Sequence, residues 1–431
     1  MHNFTAGFAR LDTTPPLGVP MGGSWNARLT KGVIDPMSVN AVAFGDGEKS
    51  AVLMTADLVG LYGVRGAQWA KQIEKDLQLP ENSVLLCCTH THTSPSVGVD
   101  ELYDAWLYRR FRDAAMLALE DRKPVTDVRW AQDETQGMTF NRRFKLSDGT
   151  FMTNPPKSCQ DMIVEPAGPA DNSMRVVQIL REDAKDIVLV NFQSHPDNIH
   201  GELVSPDFCG YVRTGVEALC ENTCCIYING AQGNLVISDR RDPNRPKGSA
   251  KVAKDHGMGL AKQVAQMLTK TQSTGKFDFS FGQKSVSLKT KRDPARVPEC
   301  KRIVELYKAD RWSEFAPSKK FANYFYTDAK KVIALEELQE DYREAPVSGV
   351  VFCGAAFIGF PGEPFCEMGM AVRENSPFTV TCAMCLTNGS LGYYPTAESF
   401  DQGGYETYAT RFRKGCAEQL VDTAIDLMKT L

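Results

Sequence analysis

The spacing of hydrophobic and polar positions changes repeatedly along this chain. Short continuous apolar runs, bounded by turn residues, fall at 51–55, 84–88, 187–192, 225–228 and 355–360. Runs of this length, rich in β-branched and aromatic residues, predict buried strands. Helical spacing takes over at 68–77, through Trp69, Ile73 and Leu77, and again at 251–268. At 414–431, Leu420, Val421, Ala424, Leu427 and Met428 fall on one face of a third amphipathic helix. The alternation predicts an α/β or α+β fold, a mixed central β-sheet flanked by helices. From Lys289 to Tyr342 the chain turns polar and helical, with Ile303, Val304 and Leu306 as its apolar anchors. That stretch predicts a helical insertion or lid. No internal repeat and no low-complexity linker interrupts the pattern.

Composition narrows the class. The 431 residues carry 49 Lys and Arg against 53 Asp and Glu, a net charge of −4, and 42% are hydrophobic. These values exclude a disordered chain and argue against a nucleic-acid partner, which would require a basic face. Length alone suggests about three domains. The chemistry-bearing motifs lie on both sides of 289–342, so we expect one domain over 1–431. The start, Met1-His2-Asn3-Phe4-Thr5, lacks a basic and apolar leader, and the longest apolar run, 349–360, is too short for a bilayer. We expect a cytoplasmic protein without integral membrane association. Its thirteen cysteines would be reduced. The pairs Cys87-Cys88 and Cys224-Cys225, and the Cys382-x-x-Cys385 spacing, read as core thiols on strands.

Four predicted strands end in polar loops. The first runs into Thr89-His90-Thr91-His92-Thr93-Ser94-Pro95. Strand alternation would point His90 and His92 the same way, as two metal ligands or as one ligand and one acid/base. The second ends at Ser194-His195-Pro196, with His200 at the rim of the same loop. The third ends in Pro361-Gly362-Glu363-Pro364, a carboxylate in a tight turn where a helix can start. The fourth ends in Asn229-Gly230-Ala231-Gln232-Gly233-Asn234, whose glycines allow close approach and exposed N–H donors. Open α/β sheets build sites beyond the carboxyl ends of their strands. Two or three His with a Glu form a zinc-like donor set there.

The first of these loops is similar to the Thr-His-Thr-His-Ser-Gly-Pro signature of the neutral/alkaline, non-lysosomal ceramidases. The likeness continues in order through Asp12-Thr13-Thr14-Pro15-Pro16, Asn141-Arg142-Arg143, Ser194-His195-Pro196 and Pro361-Gly362-Glu363. It ends with Asn388-Gly389-Ser390-Leu391-Gly392-Tyr393-Tyr394-Pro395-Thr396 and Gly404-Tyr405-Glu406. The resemblance implies a catalytic Zn2+ held by His90, His195, Glu363 and Tyr393, with Tyr394 the competing tyrosine. It implies an acid/base role for His92 and a substrate- or oxyanion-binding role for Arg142, with Arg143 as competitor. The loop at Gly233 and Asn234 would add N–H donors to the oxyanion. One departure bears on mechanism: Val236 stands where the family's loop carries its nucleophilic Ser, which favours attack by water. We expect no C-terminal β-sandwich domain, as in short stand-alone relatives, and a small-molecule substrate other than ceramide. The implied activity is zinc-dependent hydrolysis of an N-acyl-type amide. The alternatives are ester or lactone hydrolysis, or a metal-dependent lyase or isomerase acting on a small carbohydrate-like substrate. The oligomeric state is not readable.

Overall fold

The computed structural model describes residues 4–24 and 26–431; His2 lies outside them. In chain order the main strands are Thr5–Asp12 (β1), Ser38–Gly45 (β2), Ser50–Ala56 (β3), Val84–Cys88 (β4), Lys123–Glu134 (β5), Ser173–Arg181 (β6), Asp186–Phe192 (β7) and Thr223–Asn229 (β8). Phe279–Lys289 (β9), Tyr342–Phe352 (β10), Ala355–Gly359 (β11) and Val380–Met384 (β12) follow. The main helices are Arg65–Asp76 (α1), Glu101–Glu120 (α2), Phe208–Leu219 (α3), Ala250–Leu268 (α4), Val297–Lys308 (α5), Lys319–Glu337 (α6), Cys366–Glu374 (α7) and Cys416–Met428 (α8).

Strands β8-β7-β6-β5-β1-β2-β3-β4 form a nine-stranded mixed sheet with Gln272–Ser273, which pairs with β5. Its interior pairs are antiparallel, whereas β3 with β4 and β7 with β8 run parallel. Strands β9-β10-β11-β12 form a second, four-stranded sheet. The fold is therefore α/β with a large mixed sheet, and helices cover one of its faces. Tyr103, Leu107 and Phe111 of α2 pack on Met54, Val84 and Leu86. Helices α3 and α4 pack on β6, β7 and β8 through Val212, Val216 and Leu260. The opposite face meets the second sheet instead of helices. Phe44, Leu53, Leu85, Leu189 and Ile228 pack there against Phe352, Phe357 and Met384. Burying one such side chain is worth about 1.5–3 kcal/mol. Strands apolar on both faces require two covering layers, and these residues provide them.

The large sheet curls until its two edges approach, so that β8 contacts β3 and β4. Residues 385–388 lie between those edges. The Cys385 N–H donates to Asn229 O at 3.1 Å, and the Asn388 N–H donates to Leu86 O at 2.8 Å. Asn388 Oδ1 in turn accepts the Leu86 N–H at 2.8 Å. This closure brings the loops after β4, β7, β8 and β11 to one end of the molecule. Strands β9 and β10 pair along their length, with Lys289 opposite Tyr342. Between those two residues the chain forms α5 and α6, which join through Cys300, Ala329 and Val332.

All thirteen cysteines are free thiols. Cys87, Cys88, Cys382 and Cys385 are buried among apolar side chains. Among the described residues no helix is long and apolar enough to cross a membrane.

Candidate metal centre

Strand β4 stops at Cys88, two residues before the first histidine. His90 then adopts φ 74°, the left-handed region that costs a non-glycine residue about 1–2 kcal/mol. The chain is held there by the His90 N–H, which donates to Leu58 O at 2.9 Å, and by the His92 N–H, which donates to Pro196 O at 3.2 Å. His90 and His92 thus converge through a strained turn and not through strand alternation. Strained backbone of this kind gathers at sites where geometry matters more than local stability.

The three imidazoles share one arrangement. His90 Nδ1 lies 2.6 Å from Val59 O, His92 Nδ1 2.9 Å from Gly23 O, and His195 Nδ1 3.2 Å from Gln232 O. A carbonyl accepts only, so each Nδ1 carries the proton and each Nε2 presents a lone pair. Those lone pairs meet. His90 Nε2 is 3.2 Å from His195 Nε2 and 3.3 Å from His92 Nε2. Glu363 Oε2 lies 3.1 Å from His90 Nε2 and 3.5 Å from His195 Nε2. Four electron-rich atoms around one point, each braced from behind, fit a divalent cation with zinc-like nitrogen and oxygen preference. His90, His92 and His195 form a metal-capable group by distance alone.

The electrostatics agree. Burial, then Arg142 and the other two imidazoles, hold His195 well below its usual pKa. Burial also lowers His92, against the pull of Asp197. For His90, burial is outweighed by Glu363 and the value rises. Burial pushes the Glu363 carboxyl up, but His90, Arg142 and Tyr393 together bring it down to about 2. Glu363 therefore stays ionised, and His92 and His195 stay neutral.

Tyr393 and Tyr394 diverge. The Tyr393 ring stacks on His195 at 6.5 Å and lies under the Arg142 guanidinium at 5.4 Å. Tyr394 is fully buried on the other side, and its hydroxyl donates to Pro361 O at 3.2 Å. Arg142 and Arg143 diverge in the same way. Arg142 lines the cavity, with Nε on Glu406 Oε1 and Nη2 on Gly233 O, both at 2.7 Å. Arg143 turns away to Ser399 and Gly403.

The fourth loop does not reach the cavity wall. The Gly233 N–H donates to Pro364 O at 2.8 Å, which removes it as an oxyanion donor. The Asn234 side chain accepts the Cys366 N–H at 2.9 Å, at the start of α7, and donates to Glu367 at 2.8 Å. Both residues brace the Glu363 turn from behind. Val236 is buried and bridges the backbone of His195.

Over the donor cluster opens a cavity of about 930 Å³. His200 stands at its rim, with Nδ1 3.4 Å from Asp197. Several lining residues escaped the sequence reading: Tyr62, Asp197, Arg411 and a face of α6 formed by Lys320, Asn323, Tyr324, Thr327, Lys331 and Ala334. Their signal was present as helical spacing of polar and aromatic positions, without anything to say what that face met.

No protein-family model matches the chain. No curated protein matches it either. Solved structures do, two ceramidases among them. The crystal structure of neutral ceramidase from Pseudomonas aeruginosa superposes with a TM-score of 0.74 at 14% identity, over 100% of this chain and 75% of that one. A ceramidase complexed with C2 gives 0.72 at 13% identity, over 100% and 76%. The chain thus shares the fold of these ceramidases along its whole length.

Proposed function

We propose that this protein is a zinc-dependent hydrolase that cleaves the amide bond of a small, polar N-acyl compound. The observation that carries the proposal is the meeting of His90, His92 and His195 Nε2 with Glu363 Oε2 at the floor of a cavity, in a fold shared with ceramidases. His90, His195 and Glu363 would hold the ion, with Tyr393 at its edge. Zinc bound there supplies a Lewis acid for the carbonyl oxygen and a water of lowered pKa.

The chain's own groups do the rest. Val236 supplies no hydroxyl and lies outside the cavity wall, so water is the attacking group. His92, neutral and linked to Asp197 across 3.6 Å, accepts the proton of that water and returns it to the leaving amine. Arg142 stays charged because Glu406 pairs with it. It faces the cavity beside Tyr393, where it opposes charge growing on the carbonyl oxygen. Among the described lining residues, Val59 is the only branched aliphatic side chain, and the remainder are mostly polar, charged or tyrosine. That wall offers polar partners to a polar substrate and tyrosine rings, not an aliphatic channel, to its acyl part.

The test is turnover of a panel of N-acyl amino acids and matched esters in 18O-labelled water, with chelator and then with added zinc. Amine release with one labelled oxygen in the carboxylate product, abolished by chelator and restored by zinc, is expected. Turnover that ignores the chelator would overturn the metal role. Product without label would move the protein to the lyase or isomerase class, and turnover of esters alone would make the bond an ester.

A further inference from the structure

The cavity wall is strongly unbalanced in charge. Arg142, Lys320, Lys330, Lys331 and Arg411 line it, against Asp197 and Glu363. Arg142 is paired with Glu406 at 2.7 Å, and Glu363 is committed to the histidines. Lys320 donates to Asn154 O at 2.6 Å. At the other end of the α6 face the positive charges have no carboxylate in direct contact. Lys331 makes no hydrogen bond or ion pair with any described residue. Arg411 uses only Nε, which donates to Leu391 O at 2.8 Å, and pairs with no carboxylate among the described residues.

These two cations are also placed together. Both side chains line the cavity, and burial, then Arg411, Lys291 and Lys330, bring the Lys331 ammonium down to about 8 against the weaker pull of Glu363. Arg411 is anchored on the segment that carries the metal-centre residues: Leu391 precedes Gly392, whose carbonyl accepts the Glu363 N–H at 2.9 Å, and then Tyr393. A cationic pair left unpaired inside a cavity is costly unless a ligand supplies the anion. A guanidinium beside an ammonium is the usual protein receptor for an oxyanion.

We propose that Lys331 and Arg411 form an oxyanion-binding subsite, so that the substrate carries a carboxylate or phosphate at the end of the cavity facing α6. The inference rests on the hydrolase reading for the identity of the scissile bond, but not for the binding itself.

The experiment measures binding by calorimetry and turnover together, on the protein as purified. Its probes are N-acetylglycine, the neutral twin N-acetylglycinamide, and N-acetyl-O-phosphoethanolamine, whose only anionic group is its phosphate. Both anionic probes are expected to bind at least tenfold more tightly than the neutral twin, and the tighter of the two identifies the group. Lys331→Ala should cut that preference about tenfold, Lys331→Glu should reverse it, and Arg411→Gln should act like Lys331→Ala. Lys251→Ala, on the exposed face of α4, should leave it intact. Equal binding of charged and neutral twins, binding of none, or a preference that survives both Lys331 variants, would overturn the subsite. Lys331-dependent binding without cleavage would leave the subsite standing and defeat the hydrolase reading. Cleavage without charge preference would do the opposite.

Discussion

The donor cluster predicts that a divalent ion stabilises the fold, by an amount that can be worked out. A ligand that binds only the folded chain at a hundred times its Kd adds ~2.7 kcal/mol. Unfolding entropy near ~2.1 cal/mol/K per residue, over 431 residues, gives about 0.9 kcal/mol per kelvin. Zinc should therefore raise Tm by about 3 °C at that concentration, and by about 1.5 °C more for each further tenfold. The structure also says which variants remove most of the effect. Glu363→Gln removes the charge that faces His90 Nε2 at 3.1 Å, and His90→Ala and His195→Ala each remove one converging nitrogen. A hundredfold loss of affinity in each would leave only about 0.4 kcal/mol of that and cut the rise to about 0.5 °C. The assay is a melting curve after chelation, repeated along a zinc titration, with metal content by mass spectrometry for the wild type and the three variants. An unchanged Tm across the titration, or full metal content in all three variants, would refute the ligand assignment.

The Glu363 carboxyl sits at about 2 against an ordinary 4.5. In the metal-free protein its stabilising contribution is complete above about pH 4.5 and is lost as pH falls toward 2. Denaturant midpoints taken across that window should fall less steeply in Glu363→Gln than in wild type. Gly233→Ala places a Cβ 2.6 Å from Glu363 O, in a packed site; a loss of about 1–3 kcal/mol in denaturant unfolding and weaker zinc binding are expected. Unchanged stability and unchanged zinc affinity in this variant would refute the bracing role of Gly233. Glu406→Gln leaves Arg142 without its carboxylate partner at 2.7 Å, and should cost about 3–5 kcal/mol, a Tm drop of about 3–6 °C.

The legible parts of the fold are those where one physical rule acts alone. Strands β4, β7, β8 and β11 stand out in the sequence because both of their faces are apolar. Strand β5, Lys123–Glu134, is largely exposed and carries Lys123, Asp127, Arg129, Asp133 and Glu134, so no hydrophobic run reveals it. The second sheet was also hidden, since an apolar face states that something covers it and not what. The His pair was legible as chemistry, but its geometry was not: His90 reaches its place through a positive φ that no spacing rule contains. The cation pair at Lys331 and Arg411 was invisible for a third reason. Its members lie 80 residues apart, and a charge on a polar helix reads as solvated until the cavity beneath it is known.

The fourth strand end shows how a sequence signal for chemistry can mark the support of a site instead. Asn229 closes β8, and its Nδ2 donates to Thr89 O at 2.9 Å and to Ser194 O at 3.1 Å. Those are the residues immediately before His90 and His195, so one buried amide sets the spacing of two candidate ligands that belong to different strands. Gly230 is small because a Cβ there would meet Gln193 Oε1 at 2.8 Å, and Gly233 because one would meet the Glu363 carbonyl. A glycine in such a loop records a close approach and nothing about what approaches. Here the neighbours are the loops that carry the donor set, brought together by the curl of the large sheet. A buried amide with each bond satisfied is rigid in a low-dielectric interior. The strand end that supplies no donor therefore holds the others in register.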